Sequence, residues 1–126
     1  MQNDLEQLES RIKEEVTHLS DDALRREYAT VIEGAAYSLP SSTEPIVNLE
    51  GFSVDDISTI LAYNRKTNTY KFTRRVVMEN RDAMLKVKGL KGEKRDVPAL
   101  DVLLTAYYGL VVIKEFCKRA KVDIDF

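Results

Sequence analysis

Residues 96–122, DVPALDVLLTAYYGLVVIKEFCKRAKV, constrain this chain more than any other stretch, because their apolar content demands burial on nearly every side. Asp96 suits an N-cap, and Pro98 falls in a first turn, where its missing N–H costs nothing. Between Val97 and Ile113 the strongly polar residue is Asp101, with Thr105 and Gly109 as weaker interruptions. Asp101, Thr105, Tyr108, Val112, Glu115 and Arg119 follow one another at intervals of three and four. They make one narrow stripe, polar at most of its positions, on an otherwise apolar cylinder. Lys114, Lys118, Arg119 and Lys121 gather toward the far end, where cations complement the helix dipole. At about 1.5 Å per residue the helix would be roughly 35–40 Å long. Its apolar part, about 17 residues, falls short of the ~20 of a membrane span and carries an aspartate. The expectation is a central core helix and no membrane partner. A small domain has limited surface to cover such a helix, so Leu104, Tyr108 and Val112 are expected to complete its burial against a second copy.

The chain has 126 residues, 44% hydrophobic and 32% charged, which suits one soluble domain with a modest core. MQNDLEQLES opens polar and acidic and does not have the pattern of a secretory leader. The single cysteine, Cys117, leaves no internal disulfide and is expected as a small buried hydrophobe, which fits a cytoplasmic setting. His18 is the one histidine and stands apart from any cluster of Cys, Asp or Glu at ligand spacing, so neither a metal nor a cofactor is expected. The serines occupy capping and loop positions rather than a GxSxG turn. KGLKGEKR (88–95) lacks the Ser or Thr that a phosphate-binding loop places after its lysine. These absences point away from an enzyme.

Leu5, Leu8, Ile12, Val16 and Leu19 keep helical spacing, so 3–19 is expected as an amphipathic helix. Ser20 breaks it and caps the next, with Asp21 and Asp22 in the following first turn. Leu24, Tyr28, Val31, Ile32, Ala35 and Leu39 form the second stripe, and Pro40 stops it. An antiparallel pair of helices, 3–19 and 21–38, is the natural arrangement. Residues 39–53, punctuated by Pro40, Pro45 and Gly51, are expected as an internal loop. Residues 53–75 admit three readings: a helix followed by a turn and a short extended segment, a β-hairpin, or a helix-turn-helix. From Thr73 a helical pattern resumes through Val76, Val77, Ala83, Met84, Val87 and Leu90, ending at Gly89 or Gly92. The terminal VDIDF is expected to fold back on the core. The fold class is therefore mainly α: four to five helices around a long apolar C-terminal helix, with one short β-hairpin near 58–73 under the second reading.

The net charge of −2 conceals a strong separation along the chain. Residues 1–60 hold thirteen acids and four bases; residues 61–96 hold eleven bases and four acids. The bases are Arg65, Lys66, Lys71, Arg74, Arg75, Arg81, Lys86, Lys88, Lys91, Lys94 and Arg95, interleaved with Tyr63, Tyr70 and Phe72. Cations neutralise phosphates and aromatic rings stack on bases, so the expected function is non-enzymatic nucleic-acid binding by a regulatory or accessory protein. The side chains expected to carry it are Arg65, Lys66, Tyr70, Lys71, Arg74, Arg75, Arg81, Lys88, Lys91, Lys94 and Arg95. The alternative is a protein–protein adaptor, inhibitor or assembly subunit without nucleic-acid contact, self-associating through the last helix, in which opposed charges steer a protein partner.

Overall fold

A computed structural model describes residues 2–36, 56–88 and 91–121. The loop 39–53 and the tail 122–126 lie outside the described residues. The described chain forms α1 (Gln2–Thr17), α2 (Asp21–Ala36), α3 (Asp56–Glu79), β1 (Met84–Lys88), β2 (Lys94–Pro98) and α4 (Ala99–Arg119). It is mainly helical, a small bundle with one two-stranded antiparallel hairpin.

The apolar C-terminal helix is the centre of the bundle. α4 packs on α1, α2, α3 and β2, and buries Leu103, Ala106, Leu110, Val112, Ile113, Phe116 and Cys117. Helices α1 and α2 each lie against α4 instead of forming the expected pair with one another. The reason is the shape of the apolar surface: a helix that is hydrophobic nearly all round offers each amphipathic neighbour more to bury than they offer each other. The turn between them is built as the sequence implies. Ser20 Oγ accepts from Ala23 N at 3.2 Å. His18 Nδ1 lies 2.8 Å from the Glu14 carbonyl, an ordinary helix-end interaction.

Among the described residues, two apolar clusters fill the interior. One joins Val16, Leu24, Tyr28, Ile32 and Ala62 to Val112, Ile113, Phe116 and Cys117 of α4. The other joins Leu5, Val77, Ala99 and Leu103 near the start of α4. In the first, the rings of Tyr28 and Phe116 stack with centroids 3.8 Å apart, and the Tyr28 hydroxyl hydrogen-bonds the buried Thr59 hydroxyl.

Residues 58–73 are not a hairpin, nor a helix broken by a turn. They lie within the continuous helix α3. Apart from Val77 near its C-terminal end, its fully buried side chains are small or hydroxylic, Ser58, Thr59, Ala62 and Thr73, while Ile57, Ile60 and Phe72 are exposed. Hydrophobic periodicity is therefore inverted at several positions, and the helical signal is lost. Two of these hydroxyls are satisfied in different ways: Thr73 Oγ1 donates to the Thr69 carbonyl of its own helix at 2.6 Å, and Thr59 meets the Tyr28 hydroxyl of α2.

The hairpin lies later, where a helix was expected. Leu85, Val87 and Val97 are half-buried and alternate with exposed Met84, Lys86, Lys88 and Asp96. That is a period of two, and Val76, Val77 and Ala83 had masked it by extending the helical count past the end of α3 at Glu79. β1 pairs with β2 in the register Leu85 to Val97 and Val87 to Arg95. Ala99 N donates to the Ala83 carbonyl at 2.9 Å and closes the base. Helix α4 consequently starts at Ala99, with Pro98 as the N-cap, and Asp96 belongs to β2 rather than capping the helix.

Helices α3 and α4 run antiparallel. Tyr70 meets Tyr107 (centroids 5.5 Å apart), the Lys66 stem meets Gly109, and Tyr63 meets Lys114 (5.7 Å), so partners fall along α4 as they rise along α3. A Cβ at residue 109 would sit 3.1 Å from Lys66 Cε, so glycine lets the lysine stem lie against α4. Burial there lowers the Lys66 pKa.

The stacked pair sets a stability test. Phe116→Ala is expected to cost about 3–5 kcal/mol. Tyr28→Phe is expected to cost about 1–3 kcal/mol by depriving Thr59 of a buried partner. Urea denaturation of the two variants checks both magnitudes.

Candidate nucleic-acid interface

The eleven cations of 65–95 divide into sets with different surroundings. Arg81 Nη2 lies 2.9 Å from Asp4 Oδ2, and Arg74 Nε 3.6 Å from Glu9 Oε1, so these two arginines face acids of α1. Lys66 is half-buried against Gly109 and, with Arg95, lines a cleft between α3, α4 and the hairpin. Arg65 and Arg75 are exposed on α3, as is Lys71.

The remaining cations sit on the hairpin. Lys86, Lys88 and Lys94 project from its solvent face, opposite the one carrying Leu85, Val87 and Val97. Lys86 Nζ lies 3.8 Å from Asp96 Oδ1, its cross-strand neighbour. Lys88 stands directly opposite Lys94, a pairing of like charges that destabilises a ladder. Lys91 lies in the connecting turn. Its backbone N–H donates to Glu93 Oε2 at 3.0 Å, and Gly92 takes the left-handed conformation (φ 83°) that glycine adopts without strain. Three lysines thus crowd one exposed end of the ribbon, with Glu93 engaged on the backbone.

Tyr70 is not an open stacking platform. Its hydroxyl donates to Glu9 Oε2 at 2.5 Å and its ring tilts against Tyr107. Burial, then the bond to Glu9 and the negative charge of Glu9, push its pKa up to about 12, against the opposing effect of Arg74. Tyr70 and Lys71 open instead onto a groove between α1, α3 and α4 that also holds Tyr63, Lys13, Lys114 and Lys118. The lysines of α1 and α4 carry no signal in the basic segment. Only the four-residue spacing of Lys114 and Lys118 marks a shared face, and Lys13 reaches it through tertiary packing.

The expected oligomer positions fare unevenly. Leu104 and Tyr108 are half-buried, and burial followed by a hydrogen bond to Glu27 pushes the Tyr108 pKa up to about 12. Val112 is fully buried in the first core cluster, so it is a core residue and not an interface residue. The misassignment comes from its place in a stripe whose other members are mostly polar. α2 covers that side of α4.

No described helix is long and apolar enough to cross a membrane. Comparison with known protein families, with curated proteins and with solved structures finds no match to this chain.

Glu9 joins α1 to Tyr70 and Arg74, and its removal is testable. In Glu9→Ala the late phenol ionisation of Tyr70 should move to lower pH, seen as a loss of amplitude near pH 12 in an ultraviolet titration. Because the folded-state pKa of Tyr70 is raised, the stability it contributes is complete below about pH 10 and declines as the pH rises toward about 12. The same substitution should shrink that decline.

Proposed function

We propose that the protein binds nucleic acid through the exposed end of its β-hairpin, as a non-enzymatic accessory or regulatory protein. The observation that carries the reading is the crowding of Lys88, Lys91 and Lys94, two of them directly opposed across the ladder. Like charges held side by side cost stability, and a row of phosphates turns that cost into binding energy. A two-stranded ribbon is also narrow enough to enter the major groove of a duplex. Arg75 and Arg65 on the exposed side of α3 extend the positive surface, whereas Arg74 and Arg81 are engaged with α1 and contribute little.

Fluorescence anisotropy with labelled single- and double-stranded DNA and RNA, across a salt series, tests this. Binding is expected to weaken with a log–log salt slope of about −3 to −6. Replacing Lys88, Lys91 and Lys94 by Ala should reduce the slope by about 3. Arg74→Ala and Arg81→Ala should leave it nearly unchanged. Absence of binding at low salt, or an unchanged slope in the triple variant, defeats the reading.

A second reading, a protein–protein adaptor, is favoured by Ile57 and Phe72, which are 65% and 55% exposed on α3. An adaptor would keep its partner in the triple lysine variant and lose it in Phe72→Asp. The two readings separate on that pair of variants.

A further inference from the structure

The three helices α1, α3 and α4 close tightly at one end and fail to close at the other. Near the start of α4, Leu5 packs with Val77, Ala99 and Leu103, and Glu9 links to Tyr70 and Arg74. The next residues of α1 on the face of Glu9, at helical steps of four, are Lys13 and Thr17. Neither fills the space between α3 and α4, and a groove of about 470 Å3 remains. That volume lies within the range of small-molecule sites, about 300–1,000 Å3.

The lining is specific in composition. Tyr63, Tyr70 and Tyr107 supply aromatic surface, and Leu110 and Val111 of α4 add apolar surface. Lys13, Lys71, Lys114 and Lys118 come to the groove from three different helices. The carboxylate in the lining is Glu115, whose Oε1 is held by Arg119 Nε at 3.1 Å. Among the described residues Lys13, Lys71 and Lys118 form no ion pair, and the Lys114 ammonium lies over the Tyr63 ring. Thr67 adds a second, independent observation. Its Oγ1 is buried in the groove wall without a hydrogen-bond partner, whereas Thr73 one and a half turns on bonds back to its own helix. An unsatisfied buried hydroxyl is a destabilising feature that a polar ligand atom would relieve.

We infer that this groove binds a nucleoside phosphate: a planar ring laid against Tyr63 and Tyr107, with Tyr70 fixed behind Tyr107, its anionic group among Lys13, Lys71, Lys114 and Lys118, and a polar atom meeting the Thr67 hydroxyl. Aromatic surface alone would suit any apolar molecule, and lysines alone any anion. The combination within one small groove fits a ligand carrying both groups. The ligand can be a free nucleotide or a single unit of a single strand, since a groove of this size holds one nucleotide. The inference does not depend on the hairpin, which packs on a different side of α4: the cleft beside it is lined by Asp101, Val102 and Thr105, the groove by Tyr107, Val111 and Lys114.

Isothermal titration with adenosine and uridine 5′-monophosphate, inorganic phosphate and a short oligothymidylate tests it. A mononucleotide should bind one per chain, about tenfold or more tighter than inorganic phosphate. Lys114→Glu with Lys118→Glu, both exposed positions, should weaken binding by about tenfold or more with the circular dichroism spectrum unchanged. Thr67→Val should weaken it several-fold without loss of thermal stability. The Lys88, Lys91 and Lys94 triple variant should bind mononucleotide as the parent does, even if it has lost longer nucleic acid. If the oligonucleotide alone binds and its binding falls in the Lys114, Lys118 variant, the inferred ligand is a unit of a strand. Equal affinity for inorganic phosphate, or binding of every probe that is indifferent to Lys114 and Lys118, overturns the inference.

Discussion

The structure depends on one constraint: α4 is apolar nearly all the way round and must be covered on nearly every side. Each other helix contributes one face to that cover, and β2 packs beside its N-terminal half. The arrangement explains why α1 and α2 do not pair, and why Leu5 and Val16, eleven residues apart on α1, enter different clusters along α4. It also explains the use of small side chains on α3. A helix that lies along α4 for so much of its length approaches closely, and Ser58, Thr59, Ala62 and Thr73 permit that where larger residues would hold it away. Gly109 does the same from the other side, making room for the Lys66 stem.

Charge acts second. The acidic N-terminal helix approaches the basic α3, and Asp4 and Glu9 take up Arg81 and Arg74. These pairs are partly exposed and each contributes modestly to stability, of the order of 1 kcal/mol or less. Their larger consequence is selection. By occupying two arginines they leave the positive field to residues that α1 does not reach, chiefly the hairpin lysines. At the opposite end of α4, Arg119 plays a comparable role: it bonds the Leu19 carbonyl at 2.8 Å and Asp21 at 3.0 Å, tying the α1–α2 turn to the last turn of α4.

What could be read from the sequence followed from how uniform each signal was. The first two helices and the core helix have apolar residues at consistent helical spacing, and their extents agree with the structure to within a few residues at each end. Residues 56–98 were not legible because two periods overlap there. Three of the buried positions of α3, Ser58, Thr59 and Thr73, are hydroxylic and its exposed side carries Ile57, Ile60 and Phe72, so at these positions burial and hydrophobicity point in opposite directions. The strand MLKVK is five residues long and follows a helix whose last apolar residues continue the count into it. The basic segment was legible as a charge excess but not as a surface. Whether an arginine faces an acid or solvent depends on contacts such as Arg81 with Asp4, seventy-seven residues apart. The groove was less legible still, since its lysines belong to three helices and two of those lie outside the basic segment.

The hairpin and the groove have a common origin in the covering of α4. A small chain cannot surround a long apolar helix with long apolar helices alone, so the cover is completed by whatever packs with one face and tolerates water on the other. Beside the first half of α4, the two-stranded ribbon does this with Leu85, Val87 and Val97 inward, which forces Lys86, Lys88 and Lys94 outward by the strict alternation of a strand. Beside the second half, Val16, Leu24, Ile32 and Ala62 cover one side, and on the groove side the cover is completed by side chains that are apolar along their length and polar at the tip. Tyr63, Tyr70 and Tyr107 shield Leu110 and Val111 with their rings, and the stems of Lys114 and Lys118 lie along the same side of α4. Amphipathic residues used in this way bring cationic tips to the rim of an aromatic surface. The chemistry suited to a nucleotide arises here from the same requirement that orders the core.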